Sequence, residues 1–142
     1  MTFSEIQKLY RTKHDPAERM DLISAILQIE EADWRTVEVF VSTVLLEDTN
    51  SIVRHEAAFV LGDLREKGRI GDELGAAALQ KAALSDKSPT VRHEVAEAIY
   101  CFGGTQVETT LRQLLNDEIE DVRLTAAMSL TWHSQYMAQF AK

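Results

Sequence analysis

The chain is short of most of the residues that interrupt helices or build sheets. Among 142 residues there are two prolines and six glycines, and aromatic residues make up only 7%. Helices can therefore run long, and a β-sandwich, which leans on aromatic and β-branched strands, is disfavoured. Cys101 is the single cysteine, so no disulfide can form within the chain and a reducing, cytoplasmic setting is expected. Its neighbours Ile99, Tyr100 and Phe102 mark it as a buried structural thiol rather than a nucleophile. Basic charge is also scarce. Fifteen Lys and Arg stand against 23 Asp and Glu, a formal charge of -8. Nucleic acid and anionic membrane are excluded as partners on this ground, because phosphate binding relies on clustered cations. No apolar stretch approaches membrane-spanning length, and the first residues, Met-Thr-Phe-Ser-Glu-Ile-Gln-Lys, do not read as a signal peptide.

What the chain does have is a repeat. Asp86-Lys-Ser-Pro-Thr-Val-Arg92-His93-Glu94-Val-Ala matches Asp48-Thr-Asn-Ser-Ile-Val-Arg54-His55-Glu56-Ala-Ala upstream, and Asp117-Glu-Ile-Glu-Asp-Val-Arg123-Leu-Thr-Ala-Ala downstream. The Asp positions are spaced by 38 and then 31 residues, the mark of a helical repeat array. Arg19, followed by Met20-Asp21, stands for a degenerate first copy, as terminal repeats tend to be.

Apolar positions at helical spacing give two helices per copy. Phe3, Ile6, Leu9 and Tyr10 begin the first pair; Asp15 as cap and Pro16 as first residue open its second helix. Trp34, Val37, Phe40, Val41, Val44 and Leu45 face inward on the next helix, with Val53, Ala57, Val60, Leu61 and Leu64 on its partner. Lys67–Gly71 is the expected flexible loop. A slim helix with Leu74, Ala77, Ala78, Ala82, Ala83 and Leu84 inside precedes Ser88-Pro89, a strong helix start, and the stripe Val91, Val95, Ala98, Ile99 and Phe102. The last pair buries Val107, Leu111, Leu114, Leu115, Val122, Ala126, Ala127 and Leu130. Both tryptophans, Trp34 and Trp132, are expected in the core, while His14 and His133 are expected at the surface. The whole reads as one all-α domain, a short α-solenoid of four helical-hairpin repeats with about eight helices. The repeats span about residues 3–30, 33–66, 72–102 and 105–132, and a C-terminal cap covers 133–142 and folds over the open end.

The turn Asp and the Arg six residues later recur in copies with and without His-Glu, so they read as a structural register device, an Arg fork on a turn carboxylate. The His-Glu pairs occur in two copies only. As a surface feature, Glu56 and Glu94 would sit in first turns favoured by the helix dipole, with solvated histidines beside them. As chemistry, imidazole and carboxylate are ligands suited to Fe, Mn or Zn, and His55, Glu56, His93 and Glu94 would lie on adjacent helices about 8–10 Å apart. One chain offers either one poorly enclosed site or half of a two-metal set, and a two-fold homodimer would complete the latter. No phosphate loop and no Ser-His-Asp or Cys-His constellation is present.

The repeated Val-Arg-His-Glu-Ala/Val-Ala core resembles HEAT-like repeats of the phycobilisome-lyase type, and over about residues 15–132 it resembles one half of deoxyhypusine hydroxylase. That resemblance implies a HEAT-like solenoid. It also implies a non-heme di-iron centre for which His55-Glu56 and His93-Glu94 are the matching ligands; were they ligands, Arg54 and Arg92 would be structural supports bonding the ligating carboxylates. The second half of that family's fold has no counterpart in the sequence. The leading expectation is therefore a protein-interaction scaffold that binds a protein partner on the concave face formed by the second helices. A homodimeric, iron-dependent hydroxylase is the alternative.

Overall fold

The computed structural model describes residues 1–140. Among them the regular structure is wholly helical: α1 (Phe3–Thr12), α2 (Pro16–Ala25), α3 (Trp34–Glu47), α4 (Ser51–Glu66), α5 (Leu74–Ser85), α6 (Pro89–Ala98), α7 (Thr105–Leu114) and α8 (Glu120–Ala138), with 3-10 turns after α2 and α6. Each consecutive pair packs as a hairpin. Across the pairs α2, α4, α6 and α8 stack in one layer, and α3, α5 and α7 in the other. This is a short helical solenoid.

The helix ends follow from local chemistry. Thr2 and Glu5 form a reciprocal capping box on α1. Asp15, Asp33 and Asn50 accept backbone N–H bonds at the starts of α2, α3 and α4, and Pro16 and Pro89 occupy first-turn positions where no N–H is missed. The start of α5 is different. Its cap residue supplies no side-chain bond, and the buried Glu38 of α3 reaches over instead, accepting the Gly75 N–H at 2.9 Å.

Between the layers lies a continuous core running from Ile6 through Val37, Leu45, Leu61, Leu79, Val95 and Phe102 to Val122 and Ala126. α4 and α6 approach closely at Gly62, where a Cβ would meet the Ala98 Cβ at 3.0 Å. Cys101 is sealed in this seam with its thiol against the Gly62 and Ala98 carbonyls; burial pushes the thiol up to about 12, as a structural cysteine requires.

Several inward assignments turn out otherwise. Ala77 and Leu84 of α5 are exposed, while Ala76 and Leu79 are buried, because the helix is rotated to set Gly75 and Ala76 against Glu38 and the core. Ala127 is exposed on α8. Trp34 rims the core, with the Arg69 guanidinium 4.4 Å over its ring. Trp132 lies outside the core and packs on Tyr100 instead. His133 is buried, its Nδ1 2.7 Å from the Tyr100 carbonyl, since α8 continues unbroken past the expected repeat end to Ala138. The tail is thus more of α8, and Ala141 and Lys142 of the expected cap lie outside the described residues. The 67–71 loop is tied down at three points. Ile70 is buried, Arg69 donates to the Ile29 carbonyl, and Arg65 pairs with Asp72 at 2.6 Å.

The Asp-to-Arg spacing resolves into a ladder. Arg19 donates from Nε and Nη2 to Asp48 at 3.0 and 3.1 Å; Arg54 does the same to Asp86 at 2.9 and 3.1 Å, and Arg92 to Asp117 at 2.8 and 3.1 Å. Each Arg therefore takes the turn carboxylate of the following repeat. Its remaining nitrogen goes to the turn of its own repeat, Arg54 to the Asp48 carbonyl, Arg92 to that of Asp86 and Arg123 to that of Asp117. The same carboxylates also accept the N–H two residues on, from Asn50, Ser88 and Ile119. Burial alone would raise Asp48 and Asp117, but the bonds from Arg19, Tyr10 and the Asn50 N–H, and from Arg92 and the Ile119 N–H, outweigh it and hold both carboxyls below their usual range.

Replacing Asp86, 7% exposed at its side chain, with Ala strands Arg54 between repeats and should cost about 3 kcal/mol in urea unfolding. Glu108→Ala, which removes an exposed pair with Arg112, should cost about 0.5 kcal/mol or less. Carboxyls held low when folded contribute fully above their ordinary value of about 4 and lose that contribution as pH falls through the folded value. Acid unfolding followed by circular dichroism should thus begin below about pH 4 and shift to higher pH in Arg92→Ala.

Candidate functional site

The residues after each ladder arginine point along the stack, because the arginine itself is locked between repeats and sets the rotation of its helix. His55 and Glu56 follow Arg54 in the first turns of α4; His93 and Glu94 hold the same places on α6. All four are partly exposed on the second-helix layer. His55 Nε2 and a Glu94 oxygen meet across α4 and α6 at 3.1 Å. Glu56 turns the other way and accepts from the Ser24 hydroxyl of α2 at 2.7 Å. His93 faces α8, with Nδ1 2.6 Å from Asp121 and 3.0 Å from the Thr125 hydroxyl, and its Nε2 3.0 Å from Glu97 one turn along.

The four sequence-predicted residues, on α4 and α6, therefore sit in one row that their contacts extend to α2 and α8, and among the four only His55 and Glu94 touch. The histidines are not simply solvated, since each is engaged by carboxylates. Arg54 and Arg92 do not support the glutamates. Their forks are committed to Asp86 and Asp117. Ser24, Asp121, Thr125 and Glu97 complete the row and were not singled out from the sequence. Thr125 and Asp121 sit two residues either side of Arg123, and Ser24 five after Arg19, so the repeat register is the signal that leads to them.

The bond from Glu94 raises the His55 pKa; burial opposes it, and Glu94, Glu56 and Glu97 add negative potential. A shallow pocket of about 150 Å3 opens beside this row. It is lined by Phe59, Asp63 and Glu66 of α4 and by Glu94, Glu97 and Tyr100 beyond. The surface offers a cation-attracting face with apolar side chains set in it.

A model of HEAT repeats matches this chain twice, over residues 4–99 and 38–131. The chain belongs to the HEAT-repeat family. Among characterised relatives it is similar to proteins named deoxyhypusine hydroxylase. The chicken protein is 34% identical over 83 residues, 58% of this chain and 26% of the relative. That of Aspergillus clavatus is 36% identical over 100 residues, 68% of this chain and 26% of the relative. The mouse protein is 31% identical over 93 residues, 63% of this chain and 29% of the relative. The HEAT-repeat chain spans about a quarter of the length of these curated relatives. Among its described residues no helix is long and apolar enough to cross a membrane.

Since His55 is charged more readily in the folded state, its pair with Glu94 contributes fully below the ordinary histidine value of about 6.5 and is lost as pH rises through the folded value. In an NMR titration the His55 imidazole should titrate above that ordinary value, and Glu94→Gln should lower it. An unchanged midpoint in the variant would show that the pair does not form in solution.

Proposed function

We propose that this HEAT-repeat protein is a cytoplasmic interaction module whose second-helix face receives a segment of a partner protein. The observation that carries this is the composition of that face. Half-exposed His55, His93, Glu56, Glu94 and Glu97, with Phe59 and Tyr100, form a continuous row on a frame held rigid by buried ion pairs. Stacked repeats offer extended surfaces of this kind, and charge with interspersed aromatic anchors is suited to holding an extended chain. The opposite layer carries an open groove of about 600 Å3 lined by Val39, Leu46, Leu74 and Lys81 among others, with no histidine or aromatic side chain among the described residues of its lining. A photo-crosslinking residue at Phe59 should give one discrete partner adduct in cells, absent when it is placed at Val39. Equal labelling at both positions defeats this reading.

A second reading has one specific observation in its favour, the meeting of His55 and Glu94, together with relatives named deoxyhypusine hydroxylase. Imidazole and carboxylate are suitable donors for iron, and the chemistry such a centre supplies is activation of dioxygen. The donor count is the difficulty. His55 and Glu94 converge, Glu56 and His93 are turned toward α2 and α8, and among the described residues no three His, Cys, Asp or Glu side chains gather around one point. A closed site would need donors from a second copy facing the same row. Elemental analysis of untagged protein after anaerobic Fe(II) loading decides it. This reading expects about one iron or more per chain in a dimer, lost in the His55→Ala/His93→Ala double variant. Metal no higher than in that variant rules it out.

A further inference from the structure

Beyond the His–Glu row, Tyr100, Trp132 and Tyr136 line one open cleft of about 400 Å3 with Gln135 and Gln139. Trp132 and Tyr136 stand one turn apart on α8 and flank Tyr100. Their ring centroids lie 5.9 and 6.0 Å from it, at interplanar angles of 66° and 88°. Packing explains Tyr100 and Tyr136, which rest against the core, but not Trp132, which does not. Trp132 follows Arg123 by nine residues. The same register places Asp63 after Arg54 and Cys101 after Arg92, so a half-exposed indole there is particular to the last repeat.

The electrostatics define the complement. Aromatic faces are negative, and the Tyr100 hydroxyl donates to Glu66, which brings a carboxylate to the rim. Tyr100 also lines the neighbouring pocket with Asp63, Glu94 and Glu97. Among the described residues no lysine or arginine lines the cleft, and nearby Arg65 is held by Asp72 at 2.6 Å. A bare ammonium keeps its water and favours the carboxylates. A methylated ammonium is broad, weakly hydrated and apolar at its surface, and gains most from several ring faces at once.

We propose that the Tyr100–Trp132–Tyr136 cleft binds a methylated ammonium group, carried on a methylated lysine of the segment taken up by the second-helix face. The lysine as carrier rests on the interaction-module reading; the cleft's preference for the cation does not. Because the two pockets share Tyr100, a segment lying along the row reaches the cleft without leaving the surface.

The test follows the Trp132 indole N–H by NMR in the full chain, titrated with choline, with its neutral isostere 3,3-dimethylbutan-1-ol, and with a Gly-Ser-Lys-Ser-Gly peptide, trimethylated or unmodified. Choline should shift the Trp132 signal saturably and bind about tenfold more tightly than the isostere. The trimethylated peptide should bind more tightly than choline, and the unmodified peptide more weakly. Tyr136→Leu, which keeps the indole reporter and removes one ring of the cleft, should weaken choline about tenfold. Glu66→Gln, which leaves all three rings in place, should weaken choline about threefold without affecting the isostere. Equal binding of choline and isostere, or no response to either, overturns the proposal. Choline binding with no gain from the trimethylated peptide keeps the cation site but removes the lysine carrier, and with it this support for a bound segment.

Discussion

Everything in this solenoid is referred to one repeated contact, the arginine fork on the turn carboxylate of the next repeat. Each such aspartate does three things at once. It receives Nε and Nη2 of the preceding arginine, it closes its own turn through the N–H two residues on, and its carbonyl takes the arginine of its own helix. A buried ion pair is a weak source of stability in itself, because desolvation offsets most of the attraction. Its geometry is strict, however, and a planar fork on a planar carboxylate admits one rotation and one spacing between neighbouring hairpins. The apolar core supplies cohesion and the ladder supplies register.

The ladder is also directional. The first repeat takes part fully through Arg19, although its turn position holds Lys13 in place of aspartate; the Arg19 fork takes Asp48, which Tyr10 also contacts. At the other end Arg123 bonds the Asp117 carbonyl of its own repeat. The surface row inherits its spacing from this device. A residue placed directly after a locked arginine points along the stack, so His55 finds Glu94 on the next repeat and His93 finds Asp121 on the one after.

Family membership and chemistry are separate matters in such a frame. Repeats make a surface, and a few substitutions at the same register positions decide what it holds. The aromatic cleft shows this within one chain, since the position of Trp132 is Asp63 or Cys101 in earlier repeats. A single substitution there turns an acidic or sealed position into the wall of an open cleft.

The amino-acid sequence by itself determined the helices, their pairing and the identity of the ladder. Apolar spacing, two first-turn prolines and a recurring Asp-to-Arg interval are local or periodic features, and local physics reads them. It also exposed the His-Glu positions, because they break an otherwise uniform repeat. Which way those side chains turn was decided only by the tertiary structure. The Arg54 and Arg92 forks take turn aspartates and leave the glutamates to find Ser24 and His55. The same holds where residues distant in sequence compete for one place. Glu38 caps α5 from another repeat, Arg69 crosses a glycine-bearing loop to Trp34 and the Ile29 carbonyl, and His133 is buried against Tyr100 by a helix that outruns its repeat. Periodicity fixes a face on each helix, but only the packed stack determines which neighbour that face meets.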